Sequence, residues 1–249
     1  MVQLKSNVIR LAIAIPTYNE ATNLKKLIPQ LKQNVDKVEN LETTVYIIDD
    51  SSPDGTAEVA KSIGKKLGTK SFGVKIISRK KKEGLGKAYI YGFKEILKSD
   101  VDFILQMDAD LSHNPKYIPK FIELARDADL VIGSRYVRGG GTTDWSWYRK
   151  FLSRGGNLYT RTLLDKRISD YTGGFNLYSE KLLRSLPMDD VYSKGYGFLI
   201  DLKYRALGAT KHVAQVPIIF TDRAHGKSKM PKTIIISNLI LVPKIRFRH

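Results

Sequence analysis

A short apolar segment that ends in two acids constrains the fold of this chain most. Residues 103–107 read Phe-Ile-Leu-Gln-Met and are followed by Asp108, Ala109 and Asp110. Such a run is typical of a strand in the middle of a parallel sheet, and open α/β sheets bind ligands where these strands end. If residues 103–110 form one strand, Asp108 and Asp110 point the same way and Ala109 points away. Two carboxylates so placed can hold a divalent cation together with a polar group of the same ligand.

The pair of acids also has a plainer interpretation, because a strand end can be acidic without binding anything. One other metal site is excluded. A calcium loop of the EF-hand type needs glycine where His113 stands and glutamate where Pro119 stands. The choice between a ligand site and a solvated strand end therefore depends on the rest of the chain.

Apolar and amphipathic segments alternate along the first half of the chain. Segments that suit buried strands lie at residues 8–16, 45–50, 74–78, 103–110 and 130–134. Helical patterns lie between them, at about residues 22–33, 56–67, 88–97 and 115–125, with Thr22 or Asn23 as the expected first cap. This alternation predicts an α/β fold with a mainly parallel central sheet and helices on both faces.

The pattern changes after Arg135. A glycine loop and an aromatic, basic stretch precede a predicted helix at residues 151–164, and residues 171–176 are rich in turn formers. A second helical pattern lies at residues 197–206 and a further strand at 213–220. We interpret this half as an acceptor region built onto the first.

Composition limits the chemistry and the partners. There is no cysteine, which excludes disulfides, thiolate metal sites and a cysteine nucleophile. The 42 basic and 25 acidic residues give a net charge of +17, so an anionic partner is expected. A nucleic-acid-binding protein would carry aromatic and basic residues on an exposed sheet or recognition helix, whereas these strands are mostly apolar. We therefore expect no nucleic-acid partner, and we interpret the basic cluster 79–82 as a solvated surface.

The C-terminal segment, residues 231–249, combines an apolar stretch with a basic rim. Its apolar part is shorter than the about 20 residues that span a bilayer. It fits a helix at a membrane interface, a last core helix, or the start of a longer membrane-bound part, and the sequence alone leaves these three open.

Two glycine-containing stretches are excluded as phosphate loops. A P-loop ending at Gly226-Lys227-Ser228 would need glycine where Thr221 stands, and Gly84 and Gly86 belong to no complete dinucleotide motif. Acids instead follow three strands: Glu20, the pair Asp49 and Asp50, and the pair Asp108 and Asp110. Carboxylates crowded at one sheet edge are costly unless a cation or hydrogen-bond donors offset them. A nucleoside diphosphate with a metal ion supplies both.

Several motifs occur in an order that marks one family. They are Pro-Thr-Tyr-Asn-Glu at residues 16–20, Ile-Asp-Asp-Ser-Ser-Pro-Asp-Gly-Thr at 48–56, Gly-Leu-Gly at 84–86, Met-Asp-Ala-Asp-Leu-Ser-His at 107–113 and Gly-Ser-Arg-Tyr at 133–136. Together they resemble the inverting glycosyltransferases of family 2, which have the GT-A fold. Motifs at residues 153–155, 172–175, 193–196 and 222–229 resemble the polyprenyl-phosphate (dolichyl-phosphate) mannose synthases within that family.

The resemblance implies transfer of mannose from GDP-mannose to dolichyl or another polyprenyl phosphate, with inversion and with Mg²⁺ or Mn²⁺. The product would be dolichyl-phosphate mannose, for protein glycosylation and glycolipid synthesis. By the family's pattern, the guanosine end contacts Pro16, Tyr18, Glu20, Ile48 and Asp50. Asp108, Ala109 and Asp110 contact the ribose, the metal and the diphosphate.

The remaining implied contacts involve phosphates. Arg135 lies between the donor and acceptor phosphates, and Arg223 and Lys229 close over the diphosphate from a mobile loop. Arg149 and Ser153 match positions at the lipid phosphate. Metal binding falls to Asp108 and Asp110, and catalysis to these two with Arg135 and Arg223.

On this basis residues 1–230 form one catalytic domain, with the nucleotide-sugar half at 8–135 and the acceptor half with its loop at 136–230. Residues 231–249 form the basic C-terminal segment. The expected location is the cytoplasmic face of a membrane, with the chain either peripheral or cut short before membrane spans. Small membrane-anchoring subunits are further partners that the resemblance implies.

Two enzyme alternatives remain at this point: a UDP-glucose donor, and a sugar hydroxyl as acceptor. A hydroxyl needs a carboxylate base beside it, whereas a phosphate monoester arrives as an anion because its second pKa is about 6. The best candidate base is Asp201, whose plainer role is an ion pair with Lys203 or Arg205.

Overall fold

A computed structural model describes residues 7–191, 197–221 and 232–248 of the chain. The strands in these ranges are β1 Ile9–Thr17, β2 Leu41–Asp49, β3 Phe72–Ser78, β4 Phe103–Gln106, β5 Leu130–Ser134, β6 Gly141–Thr142, β7 Asn176–Ser179, β8 Val213–Pro217 and β9 Ile219–Phe220. The helices are α1 Ala21–Val35, α2 Thr56–Leu67, α3 Leu85–Ile96, α4 Ile118–Ala125, α5 Trp147–Leu163, α6 Glu180–Ser185, α7 Gly197–Ala209 and α8 Lys232–Arg248. Short 3₁₀ turns lie at Pro115–Tyr117 and Met188–Asp190.

Seven strands form the central sheet in the order β3-β2-β1-β4-β7-β5-β8. Every pairing is parallel except those of β7, which runs antiparallel to both β4 and β5. The predicted class, a mainly parallel α/β sheet with helices on both faces, is confirmed. The turn-rich segment 171–176 leads directly into β7, which the sequence pattern missed because four residues are too few to show a period.

The predicted strand at residues 213–220 is two strands. Pro217 ends β8, because proline has no N–H to continue a ladder. The chain then leaves the sheet, and β9 pairs with β6 in a small second sheet. This brings the Phe220 ring centroid to 5.5 Å from the guanidinium carbon of Arg135, the residue that follows β5.

The two faces of β1 show how the core is divided. Leu11, Ile13 and Ile15 pack with α1 and α4 on one side of the sheet. Ala12 and Ala14 face the other side, where their small size leaves room for the buried aromatic rings of α3. Full burial of each large aliphatic side chain stabilises the fold by about 1.5 to 3 kcal/mol, so these two layers fix the strand ends that build the site.

The first helix begins differently from the sequence prediction. Glu20, not Thr22 or Asn23, is its N-cap residue, and its side chain makes no capping bond. The N–H of Ala21 is instead bonded over 3.1 Å by Asp54, from the loop after β2. A cap supplied from another loop cannot be read from local sequence.

The C-terminal segment is helical over most of its length. Helix α8 packs against α5 and α7, and Val242 and Ile245 are buried in the core while Phe247 is exposed. At this described end the segment therefore combines a core-packed side with an exposed, basic one. Among the described residues, no helix has both the length and the apolar character to cross a bilayer.

Candidate active site

The candidate site lies where the direction of strand progression reverses. Strand β1 continues through α1 to β2 on one side, whereas β4 follows β3 in sequence and pairs with β1 on its other side. In open α/β sheets, ligands bind in the crevice at this reversal, outside the carboxyl ends of the strands. The predicted donor-site residues that the structure describes follow β1, β2 or β4 or lie at their ends, except Arg135, which follows β5.

Residues predicted to contact the nucleoside line the ends of β1 and β2. Pro16 and Ile48 are direct partners in the parallel register. The Ile48 side chain is fully buried, and a Cβ at Gly92 would lie only 2.1 Å from its Cδ1. Its side chain therefore belongs to the core, and any ligand contact of Ile48 is through its main chain. Tyr18 is exposed, with the Lys82 ammonium 4.0 Å from its ring centroid.

The loop after β2 separates the roles of the two adjacent acids. Asp49 accepts hydrogen bonds from Thr17 Oγ1 at 3.0 Å and from Ser52 Oγ at 2.6 Å, so it fixes the turn. Asp50 is held by Arg79, whose Nη1 donates to Oδ1 over 2.6 Å. Burial raises the pKa of Asp50, and the Arg79 guanidinium opposes this.

The interpretation of residues 79–82 as a solvated cluster is wrong for Arg79. Its side chain is only 7% exposed and reaches both Asp50 and Glu83. Arg79 directly follows β3, the same position that Asp50 holds one residue past β2. That position at the end of a strand was the available signal in the sequence.

The strand that carries the two central acids is shorter than predicted. Strand β4 ends at Gln106, so Asp108 and Asp110 lie in the following loop and their orientation does not follow from the alternation of side chains along a strand. Leu111 has a positive φ of 67°, a conformation that costs a branched residue about 1 to 3 kcal/mol and that the surrounding contacts must maintain. This sharp turn, not the pleat of a strand, presents Asp110.

Each central carboxylate is oriented by hydroxyl donors. Tyr89 Oη donates to Asp108 Oδ1 over 3.1 Å, and Ser112 Oγ donates to Asp110 Oδ1 over 2.5 Å. Burial raises the pKa of Tyr89 well above its usual value, and Asp108 and then Asp110 raise it further. Both carboxylates therefore act on the same buried phenol.

His113 fixes the main chain beside these acids. Its Nδ1 accepts the N–H of Asp108 over 3.0 Å, and its ring stacks on Phe175 with centroids 5.1 Å apart. Burial lowers the pKa of His113, although Asp108 and Asp110 oppose the shift. The neutral ring with its proton on Nε2 is the form that this hydrogen bond requires.

The residues present suit a hard divalent cation. Asp108 and Asp110 offer only oxygen ligands, which Mg²⁺ and Mn²⁺ prefer. A Cβ at Gly174 would lie 3.6 Å from Asp108 Oδ2, in van der Waals contact, so any side chain at position 174 would cover part of this carboxylate. In the part of the chain that the structure describes, no three His, Cys, Asp or Glu residues form a metal cluster. A cation here would need further ligands such as diphosphate oxygens.

Arg135 is held in a buried ion pair. Its Nε and Nη2 each donate to a different carboxylate oxygen of Asp170 over 2.7 Å, and Nη2 also donates to Thr172 over 2.8 Å. Burial raises the pKa of Asp170, but Arg135 and the nearby Lys203 outweigh it and lower the pKa to about 2. Asp170 cannot be predicted as a site residue from the sequence, since nothing local marks a single acid as the partner of a distant arginine.

A small basic pocket opens beside Arg135. Its volume is about 160 Å³, and it is lined by Arg135, Tyr136, Gly141, Thr142, Trp145, Lys150 and Arg154. Lys150 and Arg154 are one helical turn apart on α5, so both point to the same side. Three cations around one pocket suit an anionic group.

The other two predicted acceptor residues lie close to this pocket without lining it. The Arg149 guanidinium stacks on Trp145, 3.9 Å from the ring centroid. Ser153 Oγ lies 2.6 Å from Tyr136 Oη, a hydroxyl pair that joins α5 to the segment after β5. The cations that line the pocket in addition to Arg135 are thus Lys150 and Arg154, neighbours of the predicted pair on the same helix.

Asp201 is engaged in the way its plainer interpretation predicted. Arg205 Nε donates to Asp201 Oδ1 over 3.1 Å, and both side chains are buried. Lys203, the other predicted partner of Asp201, instead donates hydrogen bonds from Nζ to the carbonyl oxygens of Asp170 and Gly173. Arg223, Lys229 and the motif at residues 193–196 lie outside the described residues.

The sequence of residues 12–186 matches the family described as Glycosyl transferase family 2. An undecaprenyl-phosphate mannosyltransferase from Micrococcus luteus is 39% identical over 226 residues, which cover 91% of this chain and 89% of the relative. A polyprenol monophosphomannose synthase from Mycolicibacterium smegmatis is 38% identical over 222 residues, covering 89% and 81%.

Solved structures of glucosyl-3-phosphoglycerate synthase from Mycobacterium tuberculosis share the fold. A complex with Mn²⁺, UDP-glucose and phosphoglyceric acid superimposes with a TM-score of 0.66 at 19% identity, covering 96% of this chain and 80% of that one. A complex with phosphoglyceric acid gives a TM-score of 0.65 at the same identity and coverage. At this identity the likeness concerns the fold alone.

Proposed function

The chain belongs to glycosyl transferase family 2, and we propose that it transfers mannose from GDP-mannose to a polyprenyl phosphate, dolichyl phosphate in particular. The observation that carries this proposal is that the segment 170–174 contacts both the acidic strand ends and Arg135 at the basic pocket. Gly174 lies against the Asp108 carboxylate, and Asp170 holds Arg135 at the basic pocket. An acidic, metal-binding edge suits a nucleoside diphosphate, and a cationic pocket suits a second phosphate.

The donor half would bind the nucleotide along the ends of β1, β2 and β4. Asp50, oriented by Arg79, offers a carboxylate to ring N–H groups of the base. Tyr18, Pro16 and Glu20 would contact the guanosine from the end of β1. Asp108 and Asp110 would hold a divalent cation, which supplies charge that stabilises the departing diphosphate. Arg223 and Lys229 are proposed to act on the same diphosphate.

The acceptor half would bind the lipid phosphate at the basic pocket. Arg135, Lys150 and Arg154 line it, and Arg149 lies on the neighbouring Trp145 ring. An acceptor oxygen would attack the anomeric carbon as the bond from that carbon to the diphosphate breaks, and GDP leaves with the electron pair. The new bond forms on the opposite face, so an α-linked donor gives a β-linked product. The acceptor is already anionic at neutral pH, so no protein base is required.

Helix α5 supplies a surface suited to a lipid headgroup region. Trp147, Phe151 and Leu158 are 78%, 68% and 63% exposed. Their spacing of four and seven residues places them on one stripe, with Lys150 and Arg154 beside it. Exposed aromatic and aliphatic side chains flanked by cations are typical of helices that lie in a membrane interface. The basic pocket opens on this helix, so we propose a peripheral enzyme whose lipid substrate enters the pocket from the membrane.

A transfer assay tests the proposal. The purified protein is incubated with labelled GDP-mannose or UDP-glucose, with Mn²⁺ or Mg²⁺, and with dolichyl or undecaprenyl phosphate in detergent. We expect metal-dependent transfer from GDP-mannose, and faster transfer to dolichyl than to undecaprenyl phosphate. Equal rates with both lipids would remove the dolichyl assignment. Transfer from UDP-glucose alone would overturn the mannose assignment.

A further inference from the structure

Lys203 is a buried lysine that the proposed mechanism does not yet use. Its side chain is fully enclosed on α7, and Nζ donates to the carbonyl oxygens of Asp170 at 2.9 Å and Gly173 at 2.6 Å. Burial lowers the pKa of Lys203 to about 7, although Asp170 opposes the shift. A buried ammonium is costly, so its position beneath one functional segment calls for an explanation.

The segment that Lys203 holds is the one that joins the two halves of the site. Asp170 orients Arg135 through two hydrogen bonds and accepts a third from the Arg135 N–H at 3.1 Å. Gly174, one residue beyond the second bonded carbonyl, lies against Asp108 and His113. A shift of this segment would therefore move Arg135 and change the space beside Asp108 together.

The charges around Asp170 give Lys203 a second effect. Arg135 and Asp170 form a pair without net charge, which by itself attracts a phosphate weakly. Lys203 adds a positive charge behind the Asp170 main chain, in a buried setting where charges act strongly. The three groups together carry a net charge of about +1 when Lys203 is protonated.

We propose that Lys203 is a positioning residue for the acceptor phosphate. It holds residues 170–173 through two carbonyl oxygens, and it offsets the charge of Asp170 so that Arg135 attracts the phosphate while it stays tethered. This inference rests on the proposed function, because it takes the acceptor to be a phosphate.

Two variants separate the holding role from the charge. Lys203→Met removes both the donors and the charge, whereas Lys203→Gln removes the charge and keeps N–H donors on a side chain that is one atom shorter. The exposed Lys211→Met serves as the matched control. Steady-state kinetics with farnesyl phosphate as a soluble acceptor give KM for the acceptor, and calorimetry gives Kd for GDP-mannose.

We expect both Lys203 variants to raise KM for farnesyl phosphate by about tenfold and to leave Kd for GDP-mannose within about twofold. Because the chain has no cysteine, Lys203→Cys can be aminoethylated selectively while unfolded and then refolded, which restores a lysine-like ammonium. We expect this treatment to restore the low KM. Wild-type protein taken through the same steps is the control for refolding.

Either of two results would overturn the inference. They are an unchanged KM in Lys203→Gln, or a parallel loss of acceptor and donor binding, which would make the lysine purely structural. If Lys203→Met fails to fold, the KM of Lys203→Gln for farnesyl phosphate alone tests the inference. Wild-type protein that transfers nothing to farnesyl phosphate would instead contradict the proposed function, so the two failures are distinguishable.

Discussion

Arg79 and Asp50 form a buried ion pair that joins the ends of β3 and β2, with Nη1 and Oδ1 2.6 Å apart and each side chain 7% exposed. A buried charge is tolerated when it is paired and hydrogen-bonded, and it becomes costly when its partner is removed. The pair therefore orients the Asp50 carboxylate at the end of the crevice where we propose that the nucleoside binds.

Arg79→Ala should leave the Asp50 carboxylate buried without its main cation. We expect the free energy of unfolding to fall by about 3 kcal/mol and the affinity for GDP to weaken, because Asp50 either protonates or turns away. Urea unfolding and calorimetry measure the two effects. The neighbouring Lys80→Ala, at an exposed position, is the control and should change neither. Normal GDP affinity in Arg79→Ala would show that Asp50 does not serve the nucleotide.

Asp110→Asn should abolish transfer and most metal-dependent donor binding. The substitution keeps the side-chain shape and removes a charged ligand, so the affinity for GDP-mannose with Mn²⁺ should fall by at least about 100-fold. Calorimetry with and without Mn²⁺ measures this, with the exposed Asp127→Asn as the control. Normal binding of both ligands by the variant would make the metal assignment wrong.

Asp201→Asn should retain substantial transfer and lose stability. The carboxylate is buried and bonded to Arg205, so its loss leaves that guanidinium poorly compensated. A lower melting temperature with kcat within about threefold of wild type is the expected outcome. If a folded Asp201→Asn binds donor normally yet transfers nothing, the site contains a catalytic base and a hydroxyl acceptor is the better assignment.

The Asp170 carboxylate should make the free energy of unfolding depend on pH in the acidic range. Its pKa is lowered from 3.8 to about 2, so the folded state favours the charged form. The resulting contribution, about 2 kcal/mol, is complete above the unfolded pKa and is lost as pH falls through about 2. The stability difference between wild type and Asp170→Asn should therefore narrow from about pH 5 to about pH 2.5 in urea unfolding. A constant difference would argue against the ion pair with Arg135.

Membrane binding should depend on the exposed stripe of α5. We expect the double variant Trp147→Ala, Phe151→Ala to sediment less with anionic vesicles, and wild-type binding to weaken as salt screens the basic residues. Tyr91→Ala removes an exposed aromatic ring from another helix and should have no effect. Vesicle binding that is independent of both the stripe and the salt would contradict this surface. Lys244→Ala with Arg248→Ala, on the exposed side of α8, separates the contribution of the α5 stripe from that of the basic C-terminal segment, whose role the sequence left open.

The sequence predicted the parts of the fold that local pattern determines. The apolar runs of β1, β2 and β5 mark their positions because each strand is buried on both faces. Strand β7 gives no such signal, since its four residues acquire their place only by pairing with β4 and β5. The cap of α1 could not be predicted either, because Asp54 reaches the start of the helix from a different loop.

The residues of the candidate site likewise fall into those that the sequence predicts and those that it does not. Asp108 and Asp110 stand out in sequence because acids directly follow an apolar run. Asp170 and Lys203 do not, because their roles come from buried partners 30 to 35 residues away in the chain. The backbone turn at Leu111 is equally absent from any periodicity, although it determines how Asp110 is presented.

The most direct test of the account is the chemical identity of the acceptor. The enzyme is given labelled GDP-mannose and Mn²⁺ with either a polyprenyl phosphate or the matching polyprenol, which has a hydroxyl in place of the phosphate. We predict a labelled lipid only with the phosphate, and release of its mannose by mild acid, as expected for a glycosyl phosphate. Transfer to the polyprenol, or a product that resists mild acid, would contradict the account.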